Sequence, residues 1–596
     1  MTLKRLLLSA AIGMSMLTAF STTVMSHDDM DDPRDNTVQL RTQVDKLIVK
    51  TRSPTAKAKP TVLRKIKLLG FNDFHGQLST GRRVGTRPVG GAAVLASYLH
   101  AAEAQALDGS IIVHAGDFVG ASPAASALLQ DEPSIMFLNM LANSKCTYED
   151  KTDRGCNVVG TLGNHEFDEG LTEVKRLLDG GNHPTGPFLE NPWQGARVPY
   201  INANVVRTKG GKTILHPYVI KKIKDVNIGF IGAVLKETPT IVTPTGVAGL
   251  TFKNEAASIN QQVAQLQAKG VHAIVVTIHQ GQPQSSSNEN PTNPGGTEPT
   301  AGAIVDIVKQ LDDDVDIVVS GHSHSFMNTL ISNNNGKKML VVQAFSASTA
   351  YDDIDVTIDP ATQDVVESSA RVLTTWADQG PGLSPDAQVA SLVAQAEATV
   401  APLINQVIGT AAIALTTTEN PAGESLMGNL IADAQLAATN TQAAFMNPGG
   451  IRAGLAAGQV TWGNLFTVQP FGNTLVTMKL TGAQILAALE QQWAGQPFPR
   501  ILKTAGITYT WDAAAPVGSR IVPGSVQIGG APLVTGHSYD VTVNSFLATG
   551  GDNFTTFKAG TNQTGGAVDL DALIAYIKTL AQPFGAAIEG RIMRLN

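Results

Sequence analysis

The chain has 596 residues, 43% of them apolar and 16% charged, with a formal net charge of −7. That composition supports sizeable cores and excludes wholesale disorder, and its mild acidity argues against a dedicated nucleic-acid binder, which needs clustered Lys and Arg. The 2 cysteines exclude a disulfide-dense scaffold, a four-cysteine zinc site and a cysteine-held iron–sulfur cluster, while 57 Gly and 30 Pro without a short period exclude a fibre.

At the N-terminus, Lys4 and Arg5 precede the apolar run Leu6 to Phe20. A charged segment followed by an apolar run shorter than the ~20 residues that span a bilayer predicts a secretory signal peptide. Residues 1–26 are assigned to it, with cleavage after Ser21 or Ser26. The other reading is an uncleaved anchor. Residues 27–63, beginning HDDMDDPRD and ending TAKAKP, read as a disordered tether. No later run reads as long and apolar enough for a transmembrane helix. The expectation is a periplasmic or secreted protein with no stable membrane span.

From Ile66 short apolar runs alternate with helix-like stretches. The runs are 66–71, 110–116, 157–163, 226–234, 272–278 and 316–321. Gly91–Ala104, Glu169–Leu178 and Asn254–Lys269 lie between them. This alternation predicts an α/β or layered αββα domain with buried strands over residues 64–373. Within it, Cys146 and Cys156 flank a polar loop. An exported chain would bridge them, stabilising the fold by about 2–3 kcal/mol; in a reducing cytosol they would be free thiols. Residues 282–300 form a low-complexity loop, readable as a flap near a site or as a surface insertion. A break at 374–385 precedes apolar residues at helical spacing, which predict a linker helix over 386–407. A smaller α+β unit is expected over 408–596.

The chemistry lies just past the apolar runs. The first run ends in Asn72-Asp73-Phe74-His75-Gly76, the second in Gly116-Asp117 and the third in Gly163-Asn164-His165-Glu166-Phe167-Asp168. Two others end in His279-Gln280-Gly281 and Gly321-His322-Ser323-His324. Ligands bind outside the carboxyl ends of strands in open α/β sheets. In an extended segment, residues i and i+2 project to the same side, so Asp73 with His75, or His322 with His324, could grip one ion.

In this order the D-x-H, GD, GNHE, H and GHxH motifs resemble those of the calcineurin-like metallophosphoesterases. The GNHEFD form and the second domain narrow the resemblance to the periplasmic and extracellular 5′-nucleotidase/UDP-sugar hydrolase family, over roughly residues 64–594. The resemblance implies a four-layer αββα metallophosphoesterase sandwich followed by a smaller substrate-specificity domain. It implies two divalent ions, Zn, Mn or Fe, one held by Asp73, His75, Asp117 and His324. The other would be held by Asp117, Asn164, His279 and His322, with Asp117 bridging. Their shared hydroxide would attack phosphorus. His165 would stabilise the phosphoryl group and Asp168 would orient its imidazole. Glu166 and Glu169 are read as structural, placed for the helix macrodipole.

The second unit carries ESLMGNLIADA from Glu424, NPGGIR from Asn447, QPFGN from Gln469 and GGDNF from Gly550. These are similar to the family's specificity loops. The resemblance implies that Phe471 and Phe554 sandwich a nucleobase, that Arg452 grips phosphate or ribose, and that Asn429 and Asn447 make polar contacts. Well-studied relatives carry one or two arginines just before the E-x-x-x-G-N helix; here the segment reads LTTTENPAGES, with none. The expected function is release of phosphate from nucleoside 5′-monophosphates or related nucleotides by a secreted monomer or dimer. Alternatives are a 2′,3′-cyclic-nucleotide phosphodiesterase or UDP-sugar hydrolase on the same scaffold, a thiosulfohydrolase-like enzyme, and a non-catalytic surface binding module.

Overall fold

A computed structural model describes residues 62–242, 244–285, 289 and 299–596. The expected signal peptide, nearly all of the tether and most of the 282–300 loop lie outside the described residues.

The first domain contains two six-stranded sheets. Its strands in chain order are β1 (Arg64–Phe71), β2 (Ser110–His114), β3 (Val158–Thr161), β4 (Tyr200–Ile201), β5 (Tyr218–Ile223) and β6 (Val226–Val234). They continue with β7 (Ala273–His279), β8 (Val315–Ser320), β9 (Phe326–Ser332), β10 (Lys338–Ala344), β11 (Ala350–Asp359) and β12 (Asp364–Thr374). One sheet has the order β12-β11-β1-β2-β3-β4 and the other β9-β10-β8-β7-β6-β5. β1, β2, β3 and β4 are parallel, as are β6, β7, β8 and β10, and antiparallel strands flank each set.

The strands bury both faces, as their continuous apolar runs require. Ile66 and Leu68 of β1 and Val113 of β2 meet Phe230 of β6, Val275 of β7 and Val319 of β8 between the sheets. Leu69, Phe71 and Ile112 pack outward with helix Ala92–Glu103. On the other side, Ile274, Val276 and Ile278 pack with helices Glu255–Gln267 and Ala303–Val308. The result is helix on sheet on sheet on helix. Both parallel sets deliver their carboxyl ends to one edge, where the ligand-bearing turns begin.

Cys146 and Cys156 are disulfide-bonded, 10 residues apart. Both sit in the core beneath the outer helices. Closing so short a loop restricts the unfolded chain. Cys146→Ser/Cys156→Ser protein should lose about 2–3 kcal/mol, read as a lower urea midpoint under oxidising conditions. An unchanged midpoint would exclude a stabilising bridge.

Helix Ala387–Ile404 follows the break; Asp386 caps it by accepting the N–H groups of Gln388 and Val389. Val389, Leu392, Ala396 and Val400 enter the same apolar core as Leu95 and Leu99 of the first domain and Trp462, Leu465 and Phe466 of the second. The linker is thus a packed wedge, and one core runs through both domains. The helix corrects one expectation: with 18 residues it is long and apolar enough, by length and composition, to cross a membrane. Its apolar stripe is already covered by both domains.

The second domain is built on a five-stranded sheet. Its strands are β13 (Ala443–Met446), β14 (Thr474–Thr481), β15 (Lys503–Ala505), β16 (Ser538–Asn544) and β17 (Thr561–Val568), in the order β15-β13-β16-β14-β17. Helices Leu426–Thr439 and Gly482–Glu490 start at Ser425 and Thr481, whose hydroxyls accept helix N–H groups. This α+β unit follows the α/β layers of the first domain in a two-domain chain.

Candidate dimetal centre

The turns after β1, β2, β3, β7 and β8 converge. Asp73, His75 and His324 form one group of close ligand atoms, and Asp117, His279 and His322 another. His324 Nε2 lies 3.1 Å from Asp73 Oδ1 and 3.0 Å from His75 Nε2. His279 Nε2 lies 3.0 Å from Asp117 Oδ2 and 3.1 Å from Asn164 Oδ1. His75 Nε2 is 3.7 Å from Asp117 Oδ2, so Asp117 faces both groups.

Ligand orientation is fixed from behind. His75 Nδ1 donates to the Gly120 carbonyl at 2.9 Å and His279 Nδ1 to the Ala115 carbonyl at 2.8 Å. Each bond selects the tautomer whose Nε2 lone pair faces the site. Asp73 accepts the His322 N–H at 2.9 Å and the Asn72 amide at 2.6 Å. Asn164 Nδ2 and His322 Nδ1 are buried without a hydrogen-bond partner, and Asp117 Oδ2 meets only imidazole nitrogens. Buried polar atoms ordinarily have partners, so a cluster of inward-facing donors and acceptors fits a cation-binding role.

The backbone corrects the strand-alternation argument. Asp73 (φ 49°), His75 (φ 49°), Asp117 (φ 46°), His322 (φ 71°) and His324 (φ 52°) are left-handed. The D-x-H and H-x-H pairs therefore converge through strained turns that L residues rarely adopt. Gly163 admits the close approach of Asp117, since a Cβ there would stand 2.2 Å from Asp117 Oδ1.

Burial dominates the electrostatics. It pushes His75 down to about 4 and His322 down to about 3. At His279 the carboxylates of Asp117 and Asp73 outweigh burial and raise it to about 9. His165 Nδ1 is 2.7 Å from Asp168 Oδ2, and its buried Nε2 has no partner. Burial, then the charge of Asp117, raises Asp168 well above the usual carboxylate range; burial lowers His165.

Glu166 does more than complement a helix dipole. It is buried and accepts the N–H groups of Asp117 at 3.0 Å and Phe118 at 2.7 Å, and that of Gly163. One carboxylate thereby ties the turn after β2 to the turn after β3. Glu166→Gln turns an amide donor toward these donors and should weaken metal affinity about 10–100-fold in a chelator competition. Wild-type affinity in that variant would remove the bracing role. The signal was present in the sequence as a carboxylate inside GNHE, but its partners are 48 and 49 residues upstream.

The second domain closes over this centre. Phe471 stacks near His165, with ring centroids 6.3 Å apart and planes 12° from parallel. The Arg452 guanidinium lies 5.7 Å from the Phe471 ring centre. Burial lowers Arg452 to about 10, and the charges of Asp117 and Asp168 oppose that shift.

The other three residues read as substrate contacts have different places. Phe554 is 0% exposed and packs 6.2 Å from Phe557 within the domain core. A base could reach its face only by displacing core side chains, so an open Phe471–Phe554 slot is absent from this arrangement. Asn429 donates to Glu424 and to the Ala587 carbonyl, tying the motif helix to the C-terminal segment. Asn447 is buried and accepts from Asn544 at 2.8 Å. Both are interior polar contacts.

The calcineurin-like phosphoesterase family matches residues 66–326, and the 5′-nucleotidase C-terminal domain family matches residues 407–559. The chain is 36% identical over 552 residues to the cell wall protein Lmo0130 of Listeria monocytogenes, covering 86% of this chain and 67% of that protein. It is 32% identical over 536 residues to the endonuclease YhcR of Bacillus subtilis, covering 88% of this chain but only 41% of the relative's length. The 5′-nucleotidase precursor of Thermus thermophilus superposes with TM-score 0.71 at 28% identity, covering 89% of this chain and 99% of that one. The chain belongs to the 5′-nucleotidase family of metal-dependent phosphoester hydrolases, with an N-terminal calcineurin-like phosphoesterase domain and a C-terminal 5′-nucleotidase domain.

Proposed function

We propose that this protein is an exported hydrolase of nucleoside 5′-monophosphates or closely related nucleotides. The observation that carries the reading is the convergence of the Asp73 and Asp117 groups beside the His165–Asp168 pair, beneath an arginine from the other domain. Asp73, His75, Asp117 and His324 would hold one divalent ion, and Asp117, Asn164, His279 and His322 the other. The donors are hard oxygens and imidazoles, which suit Zn, Mn or Fe. When bound, such a pair supplies Lewis acidity and a nucleophilic hydroxide at neutral pH.

The residues of the chain do the rest. His165 presents Nε2 to the phosphoryl oxygens, and Asp168 holds its ring by Nδ1. Arg452 offers a forked donor set that matches phosphate. Phe471, buried against His165, would offer its ring to a substrate once the second domain opens away from that contact.

Export is supported by the signal-like N-terminus and by the cell-wall and precursor descriptions of two relatives. We assign residues 64–373 to the catalytic domain, 386–407 to the linker and 408–596 to substrate selection.

The test is phosphate or nucleoside release by metal-loaded protein from AMP, UDP-glucose and 2′,3′-cyclic AMP, with a single-stranded oligonucleotide alongside. The expected result is release from AMP. Cleavage of UDP-glucose or the cyclic nucleotide alone favours the related specificities, for which the arginine-free segment before Glu424 is the motive. Oligonucleotide cleavage alone, or inertness to all four, overturns the reading.

A further inference from the structure

Next to the His165–Asp168 pair, against Pro470 and Phe471 of the second domain, is a cavity of about 40 Å3. Its polar lining includes Gln130, Asp131, Asp168, Glu169 and Glu173. A carboxylate-lined space repels the phosphate that the neighbouring centre is built to receive. Its size admits an ion together with a few waters.

Two observations beyond the acidic character point to a ligand. Gln130 is 3% exposed, and neither Oε1 nor Nε2 of its amide has a partner. Asp168 is 8% exposed; it engages His165 through Oδ2 and leaves Oδ1 without a partner. Buried acceptors are costly to leave unmatched, and a cation can satisfy Gln130 Oε1 and Asp168 Oδ1. At the rim, Glu169, Glu173 and His183 bring ligand atoms within 4.8 Å of one another. Arg176 is committed to Glu173 and Glu132. Among the described residues, Glu169 makes no side-chain hydrogen bond or ion pair. A carboxylate has about four lone-pair sites, so Glu173 can serve Arg176 and an ion together.

We propose that this cavity is a third cation site, separate from the dimetal centre and built for Ca2+. Asp168 Oδ1, Gln130 Oε1 and the carboxylates of Asp131, Glu169 and Glu173 are its donors. A donor set of carboxylate and amide oxygens suits Ca2+, which accepts 6–8 oxygen ligands in flexible geometry, better than Mg2+, which demands a near-ideal octahedron. The ion would fix the free oxygen of the carboxylate that orients His165, linking calcium to the position of the phosphoryl-facing imidazole.

The test is calorimetric titration of Ca2+ alone into protein whose dimetal centre has been filled with Mn2+ and freed of excess metal. One Ca2+ per chain is expected, bound at least tenfold more weakly by Glu169→Gln and by Asp131→Asn, with bound Mn2+ unchanged. Glu169 is exposed, so its amide variant keeps the fold. Asp117→Ala protein, deprived of the dimetal centre, should still take up one Ca2+. A crystal grown with Ca2+ should show an ion in the cavity with oxygens at about 2.3–2.6 Å. No Ca2+ uptake, equal affinity in the wild type and Glu169→Gln, or a water at hydrogen-bond distance in the ion's place each overturns the proposal.

Discussion

Asp117→Ala protein is expected to lose both divalent ions and all turnover, whereas His165→Ala keeps both ions and loses turnover alone. The contrast follows from position. Asp117 Oδ2 faces His279 at 3.0 Å and His75 at 3.7 Å, so its removal opens both ligand groups. Its Oδ1 also accepts the His165 N–H at 2.8 Å, so the turn after β3 loses an anchor. His165 instead leans on Asp168 and leaves the metal-facing atoms intact. Removing a positioned acid, base or charge stabiliser of this kind lowers kcat by about 10²–10⁴. Metal analysis and steady-state rates on the two variants decide the matter. Full activity in His165→Ala removes the catalytic assignment; two ions retained in Asp117→Ala removes the bridging one.

Arg452→Ala is expected to cut kcat/KM for a nucleotide about 10–100-fold while leaving metal content unchanged. A charge-assisted hydrogen bond contributes about 1.5–3 kcal/mol, and each 1.4 kcal/mol is a factor of ten. Arg452→Lys should recover only part of the loss, because an ammonium ion cannot reproduce the planar fork. The loss should be smaller on p-nitrophenyl phosphate if Arg452 also reads the ribose, and equal if it holds phosphate alone. An unchanged kcat/KM on AMP removes Arg452 from the substrate site. The arginine-free segment before Glu424 makes this residue more exposed to test than it would be in a chain with several arginines there. Glu419 of that segment is instead paired with Lys503.

Part of this architecture is legible in the residues themselves. Strand runs are readable because a strand buried on both faces must be apolar at nearly every position, as in AIVVTIH of β7. The ligand motifs are readable because each lies in a turn immediately beyond such a run, where chain neighbours are spatial neighbours. The linker is readable from helical spacing, and its bounds move from 386–407 to Ala387–Ile404 because the cap and the core contacts lie there. The apolarity of that helix escaped the sequence reading because the alanines on its exposed face, Ala387, Ala390, Ala394 and Ala398, add to its hydropathy without breaking the amphipathic pattern.

Other features depend on partners far apart in sequence, and no local pattern encodes them. The left-handed backbone at Asp73 and His75 follows from the turns that bring two sheets' ends together. Glu166 becomes a brace only when Asp117 and Phe118 are brought against it. Phe471 and Phe554 are both phenylalanines in glycine-rich loops, yet one covers His165 and the other fills the core. That choice is made by which loop the five-stranded sheet turns outward.

Short-range pattern and the chemistry of single side chains are enough to set the layered α/β class, the second domain, the metal-ligand types and their order. Which atoms face one another, how Arg452 and Phe471 reach the first domain, and the place of a carboxylate cavity beside Asp168 come from the folded chain alone. Each of these is a distance between groups on different elements, and packing sets it.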